Sequence, residues 1–449
     1  MEYSGRWFGQ NSNAKATPMI RQTSLTSVSL CLFSVLVAAP PGAGGDWPQF
    51  RGPDGLGTSK EKDLPVRWSA DKNLAWKTEL PGPGSSSPIT VGERIFVTCY
   101  SGYGLDAAKP GDMKKLKRHL VCLDRAKGRI RWSRQVPATL PEAPFRGPFI
   151  TLHGYASSTP VTDGRRVFVF FGKSGVYAYT LDGEPVWNAS VGESTHEWGS
   201  AASPVLYKNL VIVNAGNEGG YMVALNKDTG RVVWKTDRFQ KSWTTPVLVP
   251  VAKGGRELVI GADYRLLAFD PASGKQLWTC QTKEHYTAPS VTAHAGVVYL
   301  TAGFSAQQTL AVRAGGKDDV TRSELLWKAS KGTNVPSPVY HDGHLYCISD
   351  TSGIAYCLKA GTGEVVYAKR LEPAPGRIYA SPIVADGKIY VVSRGKGVYV
   401  LAAKPEYALQ VRNTLAGDDS VFNATPAILD GQLLLRSDRY LYCIGKRHE

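Results

Sequence analysis

The chain alternates short apolar runs with turn residues, and one such pairing recurs at nearly constant spacing. ALNKDTGRVVW (224–234) reads as an apolar strand, a tight turn at Asp228-Thr229-Gly230, and a second strand closed by Trp234. The unit returns as AFDPASGKQLW (268–278), CLDRAKGRIRW (122–132) and CLKAGTGEVVY (357–367), and one residue shorter as AYTLDGEPVW (178–187). A second marker, a small-residue cluster followed by Pro and β-branched residues, stands at Pro88, Pro160, Pro204, Pro246, Pro289, Pro338, Pro382 and Pro426. Turns such as Asp163-Gly164, Asp342-Gly343, Asp386-Gly387 and Asp430-Gly431 follow the markers and lead into another apolar strand, which is a hairpin signal. Each unit therefore predicts four short strands. Eight such units predict an all-β fold, a single eight-bladed β-propeller of four-stranded blades.

Both chain ends support a closed ring. The last unit stops after its third strand, in LYCIGKRHE, and lacks a closing Trp. Leu74-Ala75-Trp76-Lys77 has the closing Trp and no strands before it. The last blade is thus expected to be closed by the N-terminal strand, which removes free sheet edges. The expected boundaries are a signal peptide at 1–45, an arm at 46–64 and the propeller at 65–449.

Composition sharpens this picture. Gly (47), Trp (11) and Tyr (21) suit a turn-rich β-protein, and the net charge of +15 favours anionic partners. No nucleic-acid module is visible, so nucleic acid is not an expected partner. Ser24–Ala39 is an apolar run of signal-peptide length preceded by Arg21 and followed by small residues, so we expect export to the periplasm or beyond. Translation starting at Met19 would give that signal an ordinary short basic start. Leu30 precedes Cys31 where a lipoprotein signal needs a small residue, which argues against lipidation. No second apolar span follows, so no transmembrane segment is expected after cleavage. The first unit is oversized, with insertions at Tyr100–His119, which carries Lys114, Lys115, Lys117 and Arg118, and at Pro137–Tyr155. Cys122, Cys357 and Cys443 take the place of Ala224 and Ala268 in sister repeats and read as small buried residues. Cys347 and Cys357 flank one hairpin turn, and a disulfide between them depends on the strand register.

The strand after each Pro marker should lie innermost. Three residues before the markers stand Ser85, Ser157, Ala201, Trp243, Tyr286, Val335, Tyr379 and Asn423. If these face the channel they form a lopsided pocket with an aromatic wall, suited to a planar or sugar-like ligand. Turns between second and third strands should open on the same face. Several are basic, at Lys173, Arg265, Arg394, Lys396, Arg436 and Arg439, and would attract a carboxylate-bearing ligand or an acidic polymer. The expected ring-mouth residues are therefore Trp243, Tyr286, Tyr379, Asn423, Arg394 and Arg439. His153 and His196-Glu197-Trp198 sit on that face too, where a His beside a Glu is a candidate for acid–base work, although their spacing fits no metal motif.

The pattern of apolar strand, Asp-x-x-Thr-Gly, apolar run and Trp resembles the pyrroloquinoline quinone (PQQ) enzyme repeat. That repeat builds eight-bladed quinoprotein dehydrogenases and also the non-enzymatic propeller of the bacterial outer-membrane assembly machinery. The resemblance covers residues 65–449. More closely, DWPQFRGPDGLG (46–57), HGYASSTPV (153–161), GSAASPVLY (199–207), NVPSPVYHDGHLY (334–346) and SPIVADGKIYVVSRGKG (381–397) are similar to exported PQQ-like propellers of planctomycete-type bacteria. Two functions follow as expectations. One is a binding or scaffolding module of the cell envelope that recognises an envelope protein or an anionic polymer. The other is a dehydrogenase for an alcohol or sugar that uses PQQ with Ca²⁺. The resemblance implies a Ca²⁺ site, an Asp base, a stacking Trp and often adjacent cysteines for the second. Trp243 is the matching feature; no adjacent cysteine pair exists.

Overall fold

A computed structural model describes residues 45–239, 242–252, 254–283, 286–303 and 307–446. Residues 1–44 of the expected signal peptide, with Met19 and Cys31, lie outside the described residues. From Leu74 onward the chain forms eight antiparallel sheets arranged as a β-propeller, each with the four strands of one repeat. Blade one comprises Ile89–Val91, Arg94–Ser101, Lys117–Asp124 and Ile130–Pro137. Blade eight takes Ala427–Leu429, Gln432–Arg436 and Tyr440–Ile444 from the C-terminal end and Leu74–Glu79 from the N-terminal end. Three of the four Asp-Gly turns behave as their chemistry requires, while at Asp163-Gly164 only the glycine has positive φ. Asp342-Gly343, Asp386-Gly387 and Asp430-Gly431 have positive φ at both central residues, which suits tight hairpins of twisted strands.

Burial explains the hydrophobic pattern. Second strands such as Leu210–Ala215 are covered on both faces by neighbouring blades and are buried throughout, so they read as continuous apolar runs. Outer strands such as Val365–Arg370 are mostly exposed. The recurrent Trp works between blades. Trp76, Trp132, Trp187, Trp234 and Trp327 each lie across a small residue of their own third strand, and each indole N–H donates to a carbonyl in the next blade's outer turn. The turn glycines Gly128, Gly183, Gly230, Gly274 and Gly363 pass beneath those rings, where a side chain would collide. Trp278 departs from the rule, because the corresponding turn of blade five is replaced by the longer Arg313–Glu324 connection. Its indole instead donates to Glu257 at 2.7 Å, and Asp318–Asp319 pairs in parallel beside its strand.

Among the described residues the six cysteines are free and buried. Cys122, Cys357 and Cys443 pack opposite Trp132, Tyr367 and Trp76, in the small-residue position expected of them. The Cys347–Cys357 disulfide is ruled out by register. Cys347 pairs with Tyr356 and Cys357 with Tyr346, so the two thiols point to opposite faces of the sheet.

The stretch from Asp46 to Leu64 underlies the ring. Trp47 exchanges hydrogen bonds with Thr90 of blade one, and Thr162 N–H of blade two donates to Pro48. Gln49 and Phe50 face blades three and four across a small cleft. The fully buried Arg51 guanidinium donates to the carbonyls of Val291 and Pro338, at the inner strands of blades five and six. Gly57 and Ser59 bracket Val384 of blade seven, and Glu61 accepts from Gly431 N–H of blade eight.

Candidate binding cavity

The inner strands meet around the axis through a belt of hydroxyls. Ser87 N–H donates to Thr159 Oγ1, Thr159 N–H to Ser203 Oγ, Ser203 N–H to Thr245 Oγ1 and Thr245 N–H to Ser290 Oγ, at 2.9–3.1 Å. Ser290, Ser337 and Ser381 continue it to Thr425, each link at 3.0 Å. Where the two chain ends meet, the buried Arg436 guanidinium takes over, bonding Ser86 O and Oγ and Thr98 O of blade one. Arg436 is thus a structural stitch and not a cation of the mouth.

The belt resets the register of blade five. Ser290, not the residue before Pro289, occupies the belt position, so Val291 stands where other blades have Pro. The channel-lining residue of that blade is Ala288. Tyr286 lies two residues further out and packs edge-on against Trp243 and Trp198, with ring centroids 5.8 and 4.6 Å away.

Above the belt opens a cavity of about 610 Å³. Trp243, Tyr379 and Asn423 line it, as do the small residues Ser85, Ser157 and Ala201. Phe50 from the arm lines it as well, so the axial channel has a floor. One wall is aromatic. Trp198 lies 4.8 Å from Trp243 and 4.5 Å from Phe149, while the Trp243 indole is held by Gly199 O at 2.8 Å. His196 packs edge-on against both Trp rings. Elsewhere the lining is polar, with Asp350, Thr351, Asn334, Gln307 and Arg377. Asp350 Oδ1 accepts the Asn334 N–H at 3.1 Å, and Arg377 donates to the Tyr379 hydroxyl at 3.0 Å.

The two insertions of blade one form a single cap over one side of the mouth. Tyr100, Tyr103, Leu116, Ala143, Phe145, Ile150 and Tyr155 make a separate small core. Buried within it, Arg118 pairs with Glu142 at 2.6 Å, whereas Lys114, Lys115 and Lys117 stay exposed. The cap ends in the helical turn Ile150–His153, which lies against the cavity. His153 is fixed through both nitrogens: Nδ1 meets Ser157 Oγ at 2.7 Å and Nε2 donates to Trp198 O at 2.6 Å. Burial lowers its pKa, which keeps it neutral.

Arg394 of blade seven and Asn423 at the entry to blade eight tie the cap down from the blades that adjoin blade one across the closure. Both donate to Leu152 O, at 2.8 and 2.7 Å, and Arg394 also donates to Asn423 Oδ1 at 2.6 Å while stacking on Tyr379. Arg394 is therefore an anchor rather than a free cation. Arg439 lies outside the cavity lining, half exposed, beside Asp419 and Tyr440. Lys173 donates to Pro141 O and Arg265 approaches Asp263, so the expected basic ring does not assemble. The cation at the cavity is Arg377, which comes from the connection between blades rather than from a turn between second and third strands. Period-two alternation back from Ser381 through Tyr379 reaches it.

These side chains do not fit a calcium-bound quinone. Among the described residues lining the cavity, Asp350 is the sole carboxylate, and no group of three or more His, Cys, Asp or Glu side chains is placed to hold a metal. A tricarboxylate such as PQQ would also meet one guanidinium, Arg377, in place of several.

Fold and site together define an eight-bladed propeller with an axial cup, floored by an N-terminal arm and half covered by a cap. A family model for the outer membrane protein assembly factor BamB matches residues 113–219, 213–323 and 318–405, and the chain belongs to this family. Curated relatives include BamB of Burkholderia pseudomallei (strain K96243), 25% identical over 51% of this chain, and BamB of Yersinia pestis, 22% identical over 55%. The match spans 61% of the length of each relative. The solved structure of BamB from Moraxella catarrhalis shares the fold at a TM-score of 0.57 and 14% identity, covering 83% of this chain and 99% of that one. Among the described residues, no helix is long and apolar enough to cross a membrane.

Proposed function

We propose that the protein is an exported recognition or scaffolding propeller of the bacterial cell envelope that acts by holding an envelope protein. Family membership supports this reading. The observation that carries it is the use made of the chemistry-bearing side chains at the mouth. His153, Asn423 and Arg394 all spend their polar atoms on fixing the cap, a rigid arrangement suited to presenting a surface rather than turning over a substrate. The cap also adds an exposed, lysine-bearing edge beside the mouth, where binding residues are commonly placed. The test is photocrosslinking from Leu105 and Lys115 in the source bacterium, with fractionation of the cell. We expect a discrete crosslinked envelope protein and a periplasmic or membrane-associated pool. A cytoplasmic pool, or no crosslink to any envelope protein, would overturn the proposal.

A further inference from the structure

We propose that the axial cup is a binding site for a neutral pyranose saccharide of one to three sugar units. The observation comes from the belt. Its hydroxyl oxygens accept N–H groups from the preceding blade, so each hydroxyl keeps its own proton to donate. Thr159, Ser203, Ser290 and Ser381 are each at least nine-tenths buried and line the cup, and among the described residues these hydroxyls donate to no protein acceptor. Hydroxyl donors left over on a cavity wall are satisfied only by a ligand or solvent that supplies acceptors. A ring of hydroxyl donors asks for a ligand rich in oxygen acceptors.

The rest of the cup narrows the class. Trp198, partly exposed and backed by the buried Trp243, offers an aromatic platform for the C–H face of a pyranose ring. The polar lining provides Asp350 as acceptor and Arg377 as donor, the pairing that vicinal hydroxyls satisfy. One carboxylate against one guanidinium leaves the cup without the cationic excess an anionic sugar or a polycarboxylate needs. A peptide strand is disfavoured because the backbone N–H groups of the belt are already donated between blades. The cavity of about 610 Å³ lies in the range of small-ligand sites and is closed below by Phe50, so the ligand enters from the cap side and stops.

The experiment follows Trp fluorescence and calorimetry of the full mature protein with cellobiose, N,N′-diacetylchitobiose and maltose, and with sorbitol as an open-chain control. We expect saturable binding of at least one disaccharide and none of sorbitol. Trp198→Ala should weaken it roughly tenfold by removing the platform. Asp350→Asn retains the oxygen that accepts Asn334 N–H, so it should fold normally and still weaken binding. Unchanged circular dichroism and thermal midpoint would separate a lost contact from a lost fold. Failure of all three disaccharides to bind up to about 10 mM would sink the proposal. Binding of PQQ in their place, or equal affinity in both variants, would do the same. Envelope-protein crosslinking is read separately, so either proposal can fail alone.

Discussion

Trp76 of blade eight covers Gly128 of blade one. A Cβ built on Gly128 would stand 2.4 Å from the indole, and the same indole donates to Arg125 O at 3.1 Å. The contact joins the N-terminal strand, which completes the last blade, to the outer turn of the first. Ring closure therefore rests on this dock as well as on the strand pairing of Leu74–Glu79 with Tyr440–Ile444.

Gly128→Ala should lower the stability of the whole propeller by about 1–3 kcal/mol, because φ is +70° there and the ring must move. Gly164→Ala, at an open turn with positive φ and nothing near its Cβ, should cost less. Equal chemical denaturation midpoints for the two variants would contradict the docking role.

Deleting residues 70–80 should lower the midpoint of the single thermal transition and raise aggregation, since it strips the last blade of an outer strand and exposes the edge at Tyr440–Ile444. Calorimetry with light scattering checks both. An unaltered transition would mean that three strands suffice.

Arg394→Ala should destabilise the cap by about 1–3 kcal/mol, because it removes donors from Leu152 O and leaves Asn423 Oδ1 unpaired. Arg439→Ala should be nearly neutral, as expected of an exposed ion pair. Limited proteolysis within 137–155 reads the difference. Equal cleavage rates would remove Arg394 from its anchoring role.

Glu218 supplies a pH dependence. Burial raises its carboxyl to about 7 from an ordinary 4.5, and Ser200 lies against it. A carboxyl raised in the folded state adds stability that is full below 4.5 and is lost as pH climbs through about 7. Stability should therefore fall with rising pH across that window, by no more than about 3 kcal/mol from this group. Glu218→Gln should flatten the slope, measured by urea denaturation at several pH values. A slope that survives the substitution would assign it elsewhere, with Asp438, raised to about 6 by burial, as the next group to replace.

Titration of the denatured, unreduced protein should find free thiols at Cys99, Cys122, Cys280, Cys347, Cys357 and Cys443. A missing pair would require a register other than Cys347 opposite Tyr356.

The architecture was legible because each blade writes its own signature. A buried strand is apolar, several tight hairpins use Asp-Gly, and in five blades a turn glycine passes beneath the neighbouring Trp. The site was less legible because its residues obey register, which propagates from hydrogen bonds between blades. One irregular marker, Pro289, moved Tyr286 off the channel face. Basic residues could be counted in the sequence, but their partners could not. Arg394 finds the carbonyl of Leu152, 242 positions earlier, and Arg436 reaches Ser86 across the closure. Phe50 and Arg377 carry no repeat signal of their own, because the arm and the connections between blades have no repeat pattern.

A ring of blades that touch only their neighbours behaves as a linear array bent into a circle, and such an array can melt one unit at a time. The stretch around Trp47, Arg51 and Glu61 changes that statistical character. A single short segment bonds to blades one, two, five, six, seven and eight and faces the other two, so the opening of any sector strips contacts from a member shared by all. Amide exchange at the inner strands should then proceed through one common opening rather than through eight independent ones.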